Sequence, residues 1–150
     1  MKRKLVILLL LFLFSTVPAF ADNGIINVES SHDVATTSLR LEKLLRANGM
    51  TIFARVDHAK GAEKVGKGLP PMELLIFGNP KLGTVLMQCN QTAGLDLPQK
   101  MLIRRDRRGK VWISYNDPVW IAKRHGLVGC GSTVSKIREA LERFASEAAD

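Results

Sequence analysis

The first apolar stretch is an unbroken run, Leu5 to Phe14, behind the cluster Lys2, Arg3, Lys4 and ahead of Pro18 and the triplet Ala19-Phe20-Ala21. A positive start, a short apolar core and small residues at both recognition positions of a cleavage site form the pattern of a secretory signal peptide. The run is short and is followed by Pro18 and a cleavage site, and no second long apolar stretch lies behind it, so it reads as a removed leader rather than a membrane span. No cysteine follows the run, which argues against a lipid-anchored lipoprotein. The expected mature chain begins near Asp22 and is exported, to a bacterial periplasm or beyond.

Beyond the leader the apolar spacing switches between the two-residue period of strands and the 3.6-residue period of helices. Ile25 to Ser30 predicts a strand. Ser31 or Asp33 can then cap a helix that keeps Val34, Leu41, Leu44 and Leu45 on one face, ended by Asn48-Gly49. Met50 to Val56 predicts a second strand, and Ala59 to Gly68, small, charged and glycine-rich, predicts a mobile loop. After Pro70-Pro71, Met72 to Phe77 predicts a third strand, broken by Gly78-Asn79-Pro80, with a helix over Leu82 to Cys89. Gln99 to Arg105 and Lys110 to Tyr115 flank Asp106-Arg107-Arg108-Gly109 and read as a hairpin. Asp117 and Pro118 open a helix over Val119 to His125, and Ser132 caps a last amphipathic helix carrying Val134, Ile137, Leu141, Phe144, Ala145 and Ala148. The fold class is α+β, with a mainly antiparallel sheet of four to five strands and helices packed on one face. The expected shared core comprises Ile52, Phe53, Leu74, Ile76, Ile103, Trp112, Leu141 and Phe144.

Of the 150 residues, 129 remain after a 21-residue leader, which suits a single domain with a real core, residues 22–150. The net charge of +8 includes three leader cations, so the mature chain is near +5. Outside the cytoplasm such a balance points to lipids, polysaccharides or small acids rather than nucleic acid, and a solvated positive surface is the preferred reading over any specific partner. Cys89 and Cys130 are the two cysteines, and in an oxidising compartment they read as one disulfide. Closing that loop is worth roughly 4 kcal/mol in the chain-entropy account.

Four blocks occur in one order at compact spacing. They are Phe53-Ala54-Arg55-Val56-Asp57-His58; Phe77-Gly78-Asn79-Pro80 with Gly83-Thr84 and Leu86-Met87-Gln88; Gly94-Leu95-Asp96-Leu97-Pro98 with Lys100; and Tyr115-Asn116-Asp117-Pro118 with Arg124-His125-Gly126-Leu127. Together they resemble the uncharacterised family called domain of unknown function 302, over nearly the whole mature chain. The resemblance implies an α+β fold similar to the TATA-binding-protein-like class and a homodimer, and brings no activity or catalytic residues. The cysteines are not part of the pattern.

Gly61 to Lys67 spells G-x-x-x-x-G-K, yet Gly68 stands where a magnesium-binding hydroxyl belongs, and Leu69-Pro70-Pro71 forbids the helix that should face the phosphates. Nucleotide binding is therefore set aside. His58, beside Asp57 at a strand end, is the best candidate general acid or base, and a structural histidine bonded to backbone is the preferred reading. His125 suits a helix C-terminus through the dipole. His32, His58, His125, Met87 and Cys89 show no metal-ligand spacing, so neither metal nor cofactor is expected. Arg104, Arg105, Arg107, Arg108 and Lys110 form the densest basic cluster, a soluble hairpin tip or a contact for an anionic surface. Asn90-Gln91-Thr92 is a chance sequon in a bacterial chain. Asn79, Thr84, Gln88 and Asp96 stand at two sharp bends, where they make turns or orient a small ligand. The leading functional expectation is a non-enzymatic binding module for a small ligand. An enzyme using His58 is the alternative, and a metal- or stress-handling accessory protein the third.

Overall fold

A computed structural model describes residues 23–150, so the expected leader lies outside the described residues. Five strands, β1 (Ile25–Ser30), β2 (Thr51–Asp57), β3 (Met72–Gly78), β4 (Gln99–Arg105) and β5 (Val111–Asn116), form one sheet in the order β1-β5-β4-β3-β2 with every neighbour antiparallel. Consecutive strands β2 to β5 are a meander. Helix α1 (Val34–Ala47) carries the chain from β1 at one edge to β2 at the other, packing on β2, β3 and β4 as it goes. Asp33 starts it: its carboxylate accepts the Thr36 N–H at 2.7 Å, and that bond holds the group below the usual carboxylate range. Helices α3 (Pro80–Cys89), α4 (Pro118–His125) and α5 (Gly131–Ala149) complete the layer.

The core lies between one sheet face and α1 and α5. Leu75, Phe77, Met101, Ile103, Ile113 and Tyr115 point inward from the strands to meet Leu41, Leu45, Ile137, Leu141 and Phe144. Of the expected core, Ile103, Leu141 and Phe144 are buried and Ile52 packs partly against it, but Leu74, Ile76 and Trp112 occupy the opposite face. The cause is the two-residue period: Met72 to Phe77 contains too many apolar residues in a row for alternation to show which face is inside. Glu73 settles the register. It points under α1, where Ser38 donates to it at 2.8 Å and Arg55 Nε at 2.9 Å. Phe53 leaves the core because the β2 register shifts between Ile52 and Ala54, turning the ring outward, 54% exposed.

Two other expectations change. The segment read as a mobile loop contains α2 (His58–Glu63), capped by the Asp57 carboxylate on the Lys60 N–H at 2.9 Å. It closes with paired bonds, Gly66 N–H to the Glu63 carbonyl and Lys67 N–H to that of Ala62, which require the left-handed φ of 70° at Gly66. The phosphate-loop-like glycine is a helix stop. Ser132 does not cap α5; the cap position lies two residues earlier, at Cys130, which makes no side-chain cap bond, and the helix begins at Gly131. Its start is fixed covalently instead. Cys89 and Cys130 form a disulfide, with Cα atoms 6.5 Å apart.

Tyr115, the single tyrosine, is 4% exposed. Burial first, then the nearby carboxylates of Glu142 and Asp117, push its phenol up from 10.0 to about 12. Because the folded state resists ionisation, stability is retained below about pH 10 and declines as the pH rises from there to about 12. Phenolate absorbance should emerge near pH 12 in folded protein and near 10 in denaturant; a folded midpoint near 10 would show that the ring is solvated.

Candidate functional site

The end of the sheet where β2 begins and β3 ends is not closed by the helices. A cavity of about 270 Å³ lies there, lined by Met50 and Phe53 from the β2 side, Phe77 and Gly78 from β3, Leu82 and Met87 from α3, and Ile137, Leu141 and Phe144 from α5. Its size is just under the ~300–1,000 Å³ of typical ligand pockets. Phe53 and Met87 are both partly exposed, so the cavity reaches the surface. Three lining residues are polar, Asn79, Thr84 and Gln99, and none titrates.

Each wall has a local cause. Asn79 ends β3 and caps α3, its Oδ1 accepting the Lys81 N–H at 2.9 Å, while Pro80 takes the first helical position where no donor is needed. The wall of Leu97, Pro98 and Gln99 follows the 3-10 turn Gln91–Leu95 and contains a cis Leu97–Pro98 bond. Asp96 holds this bend. Its carboxylate lies 2.6 Å from His125 Nε2 and 3.3 Å from Arg124, and Lys100 Nζ donates to the carbonyls of Asp96 and Pro98 at 2.8 and 2.9 Å. Burial lowers the Lys100 ammonium, with the Asp96 charge opposing. The disulfide joins the end of α3 to the start of α5, fastening two walls to each other.

The bend residues therefore divide. Asn79 and Thr84 line the cavity; Gln88 is exposed on α3 outside it, and Asp96 supports a wall from behind. His125 does more than face a helix dipole. Its buried ring bonds Asp96 through Nε2 and the Thr92 hydroxyl through Nδ1 at 2.9 Å, and its carbonyl accepts Asn90 Nδ2 at 2.7 Å. Hydroxyl, imidazole and carboxylate have the composition of a catalytic relay. The imidazole is almost fully buried, however, and Thr92 lines neither the cavity nor the basin at the β4–β5 hairpin. The same bond that engages Asn90 occupies the amide of the sequon.

His58 lies at the other end of the sheet from the cavity, half-buried at the first turn of α2. Asp57 is committed to capping, a bond to the Lys60 N–H that lowers its carboxyl. No hydrogen bond links the His58 ring to any described residue, neither to a carboxylate nor to backbone. His32, His58 and His125 do not converge, and among the described residues no cluster of metal-ligating side chains exists. Phe53, Leu97 and the α5 residues were not signalled as site residues by any local pattern.

The family model for DUF302, a domain of unknown function, matches residues 26–147. The chain belongs to the DUF302 family. A DUF302 protein of Bacillus stearothermophilus, uncharacterised and solved by crystallography, superposes with a TM-score of 0.76 over 84% of this chain and 98% of that one. At 19% identity this shows the shared fold alone. Proteins named fluoride-specific ion channel FluC 1 in Brucella suis biovar 1 (strain 1330) and Brucella abortus biovar 1 (strain 9-941) are 49% identical over 122 residues, covering 81% of this chain but 48% and 45% of theirs. FluC 2 of Brucella melitensis biotype 1 matches equally, at 49% identity over 45% of its length. The chain spans about half the length of these curated relatives.

Removing the Asp96–His125 bond tests the support role. His125→Ala should lower stability by about 1–3 kcal/mol in urea denaturation, because the part-buried Asp96 carboxylate loses its shortest partner and keeps only the exposed Arg124. Cys130→Ser should lose up to ~4 kcal/mol, the loop-closure value; a loss near zero in either would mean that these ties do not carry the wall.

Proposed function

We propose that this DUF302 protein is a non-enzymatic binding module whose cavity holds a small, neutral and mainly apolar molecule. One observation carries the reading: the cavity is walled mainly by apolar side chains, and no titratable side chain is among its lining residues. The ligand's apolar body would bury against Phe53, Phe77, Met87 and Phe144, gaining roughly 25 cal/mol per Å² removed from water. Asn79, Thr84 and Gln99 supply uncharged hydrogen bonds, which orient a polar end but compensate no charge. The His58 enzyme reading is weaker, because His58 is remote from the cavity and Asp57 is spent on a cap.

Two further parts of the proposal rest on separate features. Export fits the disulfide, which persists in oxidising compartments. Dimerisation fits the sheet face away from the helices, where Val56, Leu74, Ile76 and Leu102 sit side by side and no described element covers them. In the Brucella relatives, the matched half would on this reading be a binding module carried beside a channel. No helix among the described residues here is long and apolar enough to cross a membrane.

Native mass spectrometry of protein purified from its own host should show a retained organic molecule. Ala140→Phe, which fills the cavity from α5, should remove it and weaken rebinding at least ~10-fold while His58→Ala leaves it in place. Retention by the filled variant would locate the ligand elsewhere. Leu102→Asp should convert a dimer to monomer in the same spectra, and an unchanged mass would remove the sheet face as the interface.

A further inference from the structure

The end of the sheet opposite the cavity gathers cations. The β4–β5 hairpin from Arg104 to Lys110 holds five basic residues and one acid, a net +4. Its single acid is internal to the turn: Asp106 accepts the N–H groups of Arg108 and Lys110 at 2.8 and 2.9 Å, and the Trp112 indole N–H at 2.9 Å. Lys110 is paired with Glu29 at 2.8 Å, and Arg104 is bonded to Ser114 and Asn27. Arg105, Arg107 and Arg108 are exposed, and their side chains bond no described residue. Three free guanidinium groups thus crown one rigid turn.

Apolar surface lies beside them. Trp112 borders a shallow basin whose other walls are Asp106, Arg107, Arg108 and Lys110. The Arg105 N–H donates to the Pro71 carbonyl at 3.0 Å, which holds the segment before β3 against the hairpin. That segment exposes Val65 by 72% and Leu69 by 47%, and carries Lys64 and Lys67. Cations interleaved with tryptophan and aliphatic side chains match a bilayer interface, where charges meet headgroups and apolar groups enter the acyl boundary. A dissolved polyanion would engage the charges and leave Val65 and Leu69 unused.

We propose that this end of the sheet, Arg105, Arg107 and Arg108 with Trp112 and Leu69, is a docking surface for an anionic phospholipid membrane. The Brucella relatives give independent support, since their names place the matched domain in proteins that work in a membrane. Docking here does not feed the cavity. Strands of six or seven residues separate the two ends by ~20 Å, so the cavity faces away from the surface that the hairpin meets. The inference is independent of what the cavity holds.

The test uses vesicles of phosphatidylglycerol mixed with phosphatidylcholine, and of phosphatidylcholine alone. Native protein and variants carry the same N-terminus, in a Trp120→Phe background so that Trp112 is the only tryptophan. Native protein should sediment with the anionic vesicles only, with Trp112 emission shifted to the blue. Replacing Arg105, Arg107 and Arg108 together by Gln should weaken binding ~100-fold, about fivefold for each charge near the surface. The three Lys replacements should retain most of it, and comparing them with the Gln set separates charge from any loss of fold. Equal binding to both vesicles, undiminished binding by the Gln variant, or tighter binding to heparin without a blue shift would overturn the proposal.

Discussion

Helix α5 is clamped at both ends, and the rest of the molecule is organised around that clamp. Its start is covalently tied to α3 through Cys89–Cys130. At its other end Ser31 N–H and Arg40 Nε donate to the carbonyls of Ala149 and Ala148 at 2.9 and 3.1 Å, satisfying groups that a helix C-terminus leaves open. Between the clamps, Ile137, Leu141 and Phe144 both complete the core and line the cavity. A helix free at either end could settle toward the sheet and fill the space. Held as it is, it leaves an apolar gap that close packing would otherwise remove.

Such a gap lowers stability, because its lining side chains lose contacts on one side. Its persistence beside an otherwise tightly buried core is a local departure from best packing, and such departures concentrate where function requires them. The gap's mouth is made by the β2 irregularity that turns Phe53 outward, by the Asn79-Pro80 corner and by the bend after Asp96. Three unrelated local devices open onto one space.

The sequence made the elements legible wherever their signals are local. Asp33 and Asp117 with Pro118 mark helix starts by side-chain acceptors and a missing donor, and the expectation of export makes the two cysteines readable as a pair. Asn79-Pro80 reads only as a strand break, although Asn79 caps α3 and the helix begins at Pro80, two residues before Leu82. The sheet face was not legible, because Met72 to Phe77 lacks alternation and its one charge, Glu73, turns inward to partners 35 and 18 residues away. Helix α2 was hidden by glycines that suggested a loop, although one of them is its stop. The cavity could be read only in part. Asn79 and Thr84 stand at a bend that sequence shows, whereas Leu97 and Phe144 reach it through tertiary packing, to which no periodicity points.

The distribution of charge explains why the cavity stays neutral although ionic groups surround it. Asp96, Lys100, Arg124 and His125 all lie on the elements that form or support its wall, yet each points into the bend behind Leu97 and Pro98. Pairing them there satisfies groups that would otherwise face a low-dielectric space at high cost. It also removes them as ligand contacts. On the proposed binding reading, a ligand in the cavity would be selected by shape and by a few uncharged hydrogen bonds, which favours similar apolar molecules over one charged metabolite, since an ionised group would lose its hydration and gain no partner. The free cations stand instead at the far hairpin, so the apolar cavity and the unpaired positive charge lie at opposite ends of one sheet.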